Sequence, residues 1–223
     1  MWSLVDLAAA AAIVGGLNGA IAGWHRIHRW RSPAGVTAFV LDSTWALITT
    51  AGALSVHAVA VVQNVPGNYV RSLSERRDRH VYVQGLRFRR GFLTTIGNAV
   101  SGSGRSGENR VVEEHEHVHV WQARWFGPLY PLLYGAWTVL GAVAGAIAWV
   151  AGGRHDPFGR VVEAWSYYRN PFEWWAYSRE RRWPPPRALA AHVWRRPIFR
   201  PNFGAAASNS VGSTPQSRFN SKR

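Results

Sequence analysis

The chain has 223 residues and a formal net charge of +14, from 26 basic and 12 acidic residues; Lys222 is its single lysine, so the charge is almost wholly arginine. That length suffices for one domain with a real core, or for a small domain plus membrane helices, and the arginine excess suits nucleic acid, anionic lipid or membrane-topology signals. The absence of cysteine excludes disulfides and cysteine-ligated zinc.

Residues 4–23 form an apolar run with one charge, Asp6, near its outer end. It is long enough for a transmembrane helix, since about 20 apolar residues cross the hydrocarbon. Gly15, Gly19 and Gly23 follow small-xxx-small spacing, which predicts close packing on a neighbouring helix. A second apolar run at 36–63 holds Asp42 and His57 toward opposite ends, where interfacial placement is the expectation. Between the runs lies WHRIHRWRSPAG, with Trp24 and Trp30 suited to a membrane interface. Residues 1–63 therefore read as a transmembrane helical hairpin with spans at 4–23 and 36–63.

From residue 64 the composition turns polar and basic. HVYVQGLRFRR alternates apolar and polar residues as a half-buried strand does, and GFLTTIGNAV is rich in β-branched residues interrupted by Gly97. SGSGRSGEN reads as a loop. VVEEHEHVHVWQARWF follows with no glycine or proline for 16 residues, and predicts a helix ended by Gly127 and Pro128.

That helix carries His115, Glu116, His117, Val118 and His119, a sequence of the form His-Glu-x-x-His. Two imidazoles four apart on a helix, His115 and His119, face one metal, and the carboxylate of Glu116, rotated by about 100°, reaches the attacking water instead. The roles are then metal ligands for the histidines and general base for Glu116, with His117 on the far side. A catalytic zinc site needs a third protein ligand and an open position. Downstream candidates are His155, Asp156, Glu163, Glu173 and His192.

The pair HEHVHVWQARWFGPLYPLLY and YYRNPFEWWAY resembles small bacterial zinc metallopeptidases of gluzincin type. These have a His-Glu-x-x-His-Val-x-Gln helix and a later Asn-Pro-x-Glu-x-x-Ala-Tyr segment, here Asn170 to Tyr177. The resemblance covers residues from about 80 to 180. It implies a minimal zincin-like domain at 64–183, one Zn²⁺ per chain held by His115, His119 and Glu173, and Glu116 as catalytic base. It also implies that the strand around Thr94, Thr95, Ile96, Gly97 and Asn98 aligns an extended peptide. Tyr168, Tyr177 and His155 are candidates to steady a developing oxyanion. Glu163 is the alternative third ligand.

Residues 129–151 contain no charge and are long enough to cross a bilayer, yet a single crossing would part Glu173 from the histidines. The expectation is therefore a membrane-associated segment that bends, or that lies along the bilayer with the chain returning beside it through residues 152–169. Residues 184–223 comprise a basic Pro/Arg/Trp segment suited to anionic headgroups, then a disordered tail from Gly204. Nucleic acid is not expected as a partner.

The combined expectation is an α+β integral membrane protein of the bacterial inner membrane, a zinc-dependent peptidase acting on peptide or protein substrates by metal-activated water. The arginine distribution places the site, and the first residues with it, in the cytoplasm. The alternative is a noncatalytic membrane scaffold or structural metal-binding protein on the same fold.

Overall fold

Helix α1 (Leu4–Trp24) begins at a capping box in which Ser3 and Asp6 satisfy each other's backbone N–H, so the lone acid of the run sits at the positive end of the helix dipole. The computed structural model describes residues 3–88, 91–104, 109–180 and 183–198. The architecture is mixed α+β, with a small three-stranded sheet among many helices. Two helices, α1 and Leu129–Ala151, are long and apolar enough to cross a membrane. Gly15 of α1 lies against the backbone of Ser43 and Gly19 against the Phe39 ring, while Gly23 faces open space. Two of the three small-residue positions thus serve packing.

The second apolar run is not one helix. It divides into α2 (Pro33–Ser43) and α3 (Leu47–Gln63), which meet at 89°. The polar sequence at the bend is the cause. Asp42 is 1% exposed and accepts two hydrogen bonds of 2.8 Å from the guanidinium of Arg124, far along the chain. Thr44 Oγ1 and Thr50 Oγ1 bond the carbonyls of Val40 and Asp42, capping groups that the break releases. The expected interfacial positions of Asp42 and His57 are corrected accordingly. Asp42 lies in the protein interior, and His57, 5% exposed, pairs through Nδ1 with the Tyr82 hydroxyl at 2.7 Å.

The second arm of the expected hairpin is thus a bent pair, and its far end lies close to the loop after α1. The loop after α1 is joined to residues 76–78: the Arg76 N–H donates to Arg26 O at 3.0 Å, and the Asp78 N–H to Ile27 O at 2.9 Å. Arg29 adds its backbone N–H and its guanidinium to the Asp78 carboxylate at 3.1 and 2.7 Å. Two full crossings would place these loops on opposite faces of a membrane. The bent pair α2–α3 instead brings residues 76–78 back beside the end of α1.

After the short helix α4 (Arg71–Ser74), strands β1 (His80–Tyr82), β2 (Thr94–Ile96) and β3 (Ala99–Ser101) form a sheet in the order β1-β3-β2. β1 runs parallel to β3, and β2 antiparallel to it. The segment GFLTTIGNAV is therefore a hairpin rather than one strand, turning at Gly97, whose φ of +54° favours glycine. A side chain at Gly97 would also run into the Thr49 carbonyl, and one at Gly52 into Ile96, so α3 presses directly on the hairpin. Ala53, Val56 and Ala60 of α3 form one core cluster with Tyr82 and Ala99. Val81, Val100, Val112 and Val120 form a second on the other side of the sheet, joining it to the motif helix. Burying each such valine contributes roughly 1.5 kcal/mol or more.

The motif helix is composite: α5 (Asn109–Val111), a π-helical turn (Val112–Glu116) and α6 (His117–Phe126). Gly127 follows at φ +51°. α7 (Leu129–Ala151) leads away, the chain turns at residues 152–157, and α8 (Phe158–Glu163) and a second π turn (Ala164–Tyr168) run back along it. The close approach runs through Gly141, over the backbone of Trp165 and Ser166, and Gly145, against Val162 and Trp165. The chain thus returns beside the apolar segment to deliver α9 (Pro171–Arg179). Exposed Leu129, Leu132, Leu133, Val139, Leu140, Val143, Ile147 and Val150 form a stripe on the side of α7 away from that return.

Residues 183–198 strap the return segment. The indoles of Trp183 and Trp194 donate to the carbonyls of Trp194 and Arg169, the indole of Trp174 to Arg196, and Arg169 Nε to the His192 carbonyl. This Arg/Trp segment is part of the fold and not solely a headgroup contact. The tail from Gly204 lies outside the described residues.

Candidate metal centre

His115 lies within the first π turn, His119 in the helix that continues it, and Glu173 in the helix that follows the second π turn, a form that widens the helix by one residue and recurs at functional sites. The first π turn ends at Glu116, and α6 continues through His119, so the two histidines project to one side. After the second, Asn170 caps α9 by accepting the Phe172 N–H, Pro171 occupies the first helical position, and Glu173 falls in the first turn, where the helix dipole favours a carboxylate.

His115, His119 and Glu173 converge in the interior, 4%, 6% and 4% exposed. His115 Nε2 lies 3.1 Å from His119 Nε2 and 3.5 Å from Glu173 Oε2, while His119 Nε2 lies 3.3 Å from Glu173 Oε1. Ligand atoms about 2.1 Å from a tetrahedral ion stand roughly 3.4 Å apart. The three separations are of that size, those from His115 and His119 running to different oxygens of the Glu173 carboxylate. A second observation agrees: Glu173 Oε2 is buried with no hydrogen-bond partner, its nearest ion-pair contact being the His115 imidazole at 3.5 Å, as suits an oxygen that meets a cation. This group could hold a metal ion.

The outer atoms of the ligands are also held, as metal-binding imidazoles require. His119 Nδ1 is 2.8 Å from Gln122 Oε1, and the Gln122 amide donates to the Phe172 carbonyl at 3.0 Å, tying α6 to the start of α9. His115 Nδ1 lies 2.9 Å from Glu180 Oε1. The Tyr134 hydroxyl donates to Glu173 Oε1 at 2.7 Å. Burial opposes a charge on His115, yet the carboxylates of Glu173, Glu180 and Glu116 outweigh it and raise its pKa. Burial likewise opposes charge on Glu173, and the two imidazoles overcome it and hold the carboxyl well below the usual range. The cluster is an electrostatic well for positive charge.

Glu116 stands beside this group but outside it. Its Oε2 accepts a 2.5 Å hydrogen bond from Thr95 Oγ1 on β2. Both face a cleft of about 920 Å³, with His115, His119 and Glu173 at its base and an apolar wall that includes Ile48, Phe92, Leu93, Pro131 and Val162. Thr94, Thr95, Ile96 and Gly97 line the cleft, and β2 is the edge of its sheet with no further strand on its outer side among the described residues. Asn98 does not join them. It is fully buried and donates to Asn18 and Asp42 at 2.9 and 3.1 Å, helping to fix the hairpin to α1 and α2.

The remaining sequence candidates lie elsewhere. Tyr177 packs its ring against His115, with centroids 4.4 Å apart, and Tyr168 is in the core cluster behind it; neither lines the cleft. His155 is exposed at the far end of α7, and Asp156 pairs with His192 at 2.8 Å. Glu163 lines the cleft but is outside the ligand group. His117 points away, its Nδ1 2.8 Å from Arg79. The phenols that do reach the cleft are Tyr130, Tyr134 and Tyr167. Tyr130 and Tyr134 share a helix face by their spacing of four, a signal available from the sequence, as was the position of Gln122 three residues after His119. The approach of Glu180 to His115 was not.

Comparison with family models, with curated proteins and with solved structures gave no match.

Proposed function

We propose that the protein is a membrane-associated zinc-dependent peptidase. The observation that carries this reading is the juxtaposition of a three-ligand group, a free carboxylate beside it, and an open strand edge along the same cleft. His115, His119 and Glu173 would hold the ion. Two imidazoles and one carboxylate are a donor set suited to zinc, and three ligands leave a position for reaction. When bound, the ion supplies Lewis acidity to the scissile carbonyl and to the attacking water.

The chain's own residues account for the rest. The outer edge of β2 offers backbone N–H and C=O groups to an extended peptide, which would place a peptide carbonyl above the ligand group. Glu116 takes a proton from the attacking water as its oxygen bonds to the carbonyl carbon. The same carboxyl passes that proton to the amide nitrogen as the C–N bond breaks, yielding a carboxylic acid and an amine. Thr95 fixes the carboxylate by occupying Oε2 and leaves Oε1 for the proton. Tyr130, whose hydroxyl lies 3.2 Å from His119 Nδ1 on the cleft wall, would supply a hydrogen bond to a developing oxyanion, while the Tyr134 proton is engaged in orienting Glu173.

Metal analysis and peptide turnover test this directly. Wild type should hold one zinc per chain. Glu173→Ala and His115→Ala should hold little, and Glu116→Gln should hold as much as wild type while losing at least 100-fold in turnover, the scale of lost general-base catalysis. Equal turnover by Glu116→Gln would remove the catalytic assignment. Stoichiometric zinc with no hydrolysis by wild type would favour a structural metal site.

A further inference from the structure

The cleft extends well beyond the ligand group, and its far wall is built differently from its base. Gly135 of α7 and Gly159 of α8 both line it, and a Cβ built on either would meet no atom within 4 Å. The other helix glycines of this region are used for packing: Gly141 and Gly145 are in close contact with the return segment. Gly135 and Gly159 instead leave room inside the cleft.

That room is apolar and continuous with an exposed apolar rim. Ile48 of α3 and Phe88 line the cleft and are 60% and 76% exposed. Leu132, 67% exposed, follows Pro131 on the cleft wall and belongs to the outward stripe of α7. One wall of the cleft is therefore the inner side of a helix apolar enough to enter a bilayer, and the opposite wall is the start of α3, half of the bent apolar pair. A polar peptide arriving from water would have to desolvate its side chains against walls where Thr49, Glu163 and Ser166 offer polar partners over only part of the lining, at a cost of about a kcal/mol or more for each group left unpaired. An apolar segment loses nothing there and gains burial.

We infer that the substrate of this site is an apolar polypeptide segment drawn from the bilayer, paired along β2 and placing bulky aliphatic or aromatic side chains in the spaces left by Gly135 and Gly159. This rests on the peptidase reading above for its chemistry and on the cleft for its specificity. Filling the spaces with protein should exclude large side chains and spare small ones, because neither glycine touches the ligand group.

The test separates binding from cleavage. Full-length Glu116→Gln protein, zinc-loaded in vesicles of phosphatidylcholine and phosphatidylglycerol, is exposed to three photo-crosslinking peptides of equal length. One is leucine-rich, one alanine-rich, and one has serine and glutamine in place of leucine. The leucine peptide should label the Ile48 and Phe92 regions at least tenfold more than the polar one. Adding Gly135→Leu or Gly159→Leu should lower leucine-peptide labelling at least tenfold, the discrimination expected of a filled apolar pocket, with alanine-peptide labelling and zinc content unchanged. Equal labelling by the polar peptide, or labelling by the leucine peptide that survives both leucine substitutions, would overturn the inference. Zinc-loaded protein without the Glu116 substitution should cleave the leucine peptide. Labelling without cleavage would sink the peptidase reading and leave apolar-segment recognition upheld.

Discussion

Asp78 shows how single buried side chains set the geometry on which the site depends. Its carboxylate is fully buried and receives the backbone N–H and guanidinium of Arg29, with His28 Nδ1 at 3.5 Å. Burial opposes its ionisation, but His28 and the two Arg29 donors more than offset this and hold its pKa at about 2 against an ordinary 3.8. A depressed acid pKa contributes stability that is fully present above the unfolded value and lost as pH falls through the folded one, so the window here runs from about pH 4 to pH 2. The contribution at neutral pH is about 2 kcal/mol. Asp78→Asn should lower the unfolding free energy by about that much at pH 7, with the difference from wild type shrinking toward pH 2. Melting curves in detergent across that range check it; a difference constant with pH would show that the charge is not the cause. At this scale the sequence was informative where chemistry is local. His115, Glu116 and His119 were legible because one helix turn dictates their convergence. The second layer was not, because Glu180 reaches His115 and Tyr134 reaches Glu173 only through the return of the chain along α7. Tyr168, Tyr177 and His155 attracted notice as residue types near the right segments, and packing assigned them elsewhere.

Among the elements, α7 and its return decide whether a metal site exists. The motif halves are held together because Gly141 and Gly145 let the returning backbone lie directly on α7. A side chain at Gly141 would sit 2.6 Å from the Trp165 carbonyl and 2.8 Å from Ser166 Cα, which are backbone atoms that cannot swing aside. Gly141→Leu should therefore push the second π turn outward and carry Glu173 with it. Zinc affinity should fall at least tenfold, within the range that loss of ligand orientation gives, although no ligand is altered. Gly135→Leu, on the same helix but facing open space, should leave affinity unchanged. Competition with a chelator of known affinity measures both, and equal affinity for all three proteins would show that α7 packing does not hold Glu173. The helices themselves were readable from apolar runs and end signals: α1 and α7 lie close to their expected bounds, and the motif helix ends at Phe126 before Gly127 as expected. The break between α2 and α3 was hidden because the partner that stabilises Asp42 inside the protein is Arg124, and no local pattern announces a contact of that sequence separation. The π turns were hidden for a related reason, since only tertiary packing selects a wider helical turn over the α form.

For the whole molecule, the corrected path of α2 and α3 changes the topology that the charge pattern supports. Once the loop after α1 is bonded to residues 76–78, Arg26, Arg29 and Arg31 no longer oppose Arg71, Arg76, Arg77 and Arg79 across a membrane but join them on one face. With α1 as a single crossing, arginine gathered at that end predicts, by the positive-inside tendency, a cytoplasmic placement for the sheet, the motif helix and the cleft, which cysteine labelling tests. The same prediction puts the first residues on the opposite side, where the hairpin expectation put them in the cytoplasm. α7 has the length to cross, at about 34 Å, but one side of it is covered by a return segment that carries Arg160, Glu163 and Arg169 and is strapped by residues 183–198. Carrying these groups through hydrocarbon would cost several kcal/mol, whereas laying the outward stripe of α7 in the membrane surface leaves them hydrated. Because the chain has no cysteine, single cysteines report the arrangement without background. Ser72→Cys and His155→Cys, both exposed, should react with an impermeant maleimide only after the cytoplasmic face is opened. Ser3→Cys should react in intact cells. Reaction of His155→Cys together with Ser3→Cys would mean that α7 crosses fully, and the apolar wall of the cleft would then be the flank of a true span rather than a helix lying in the surface.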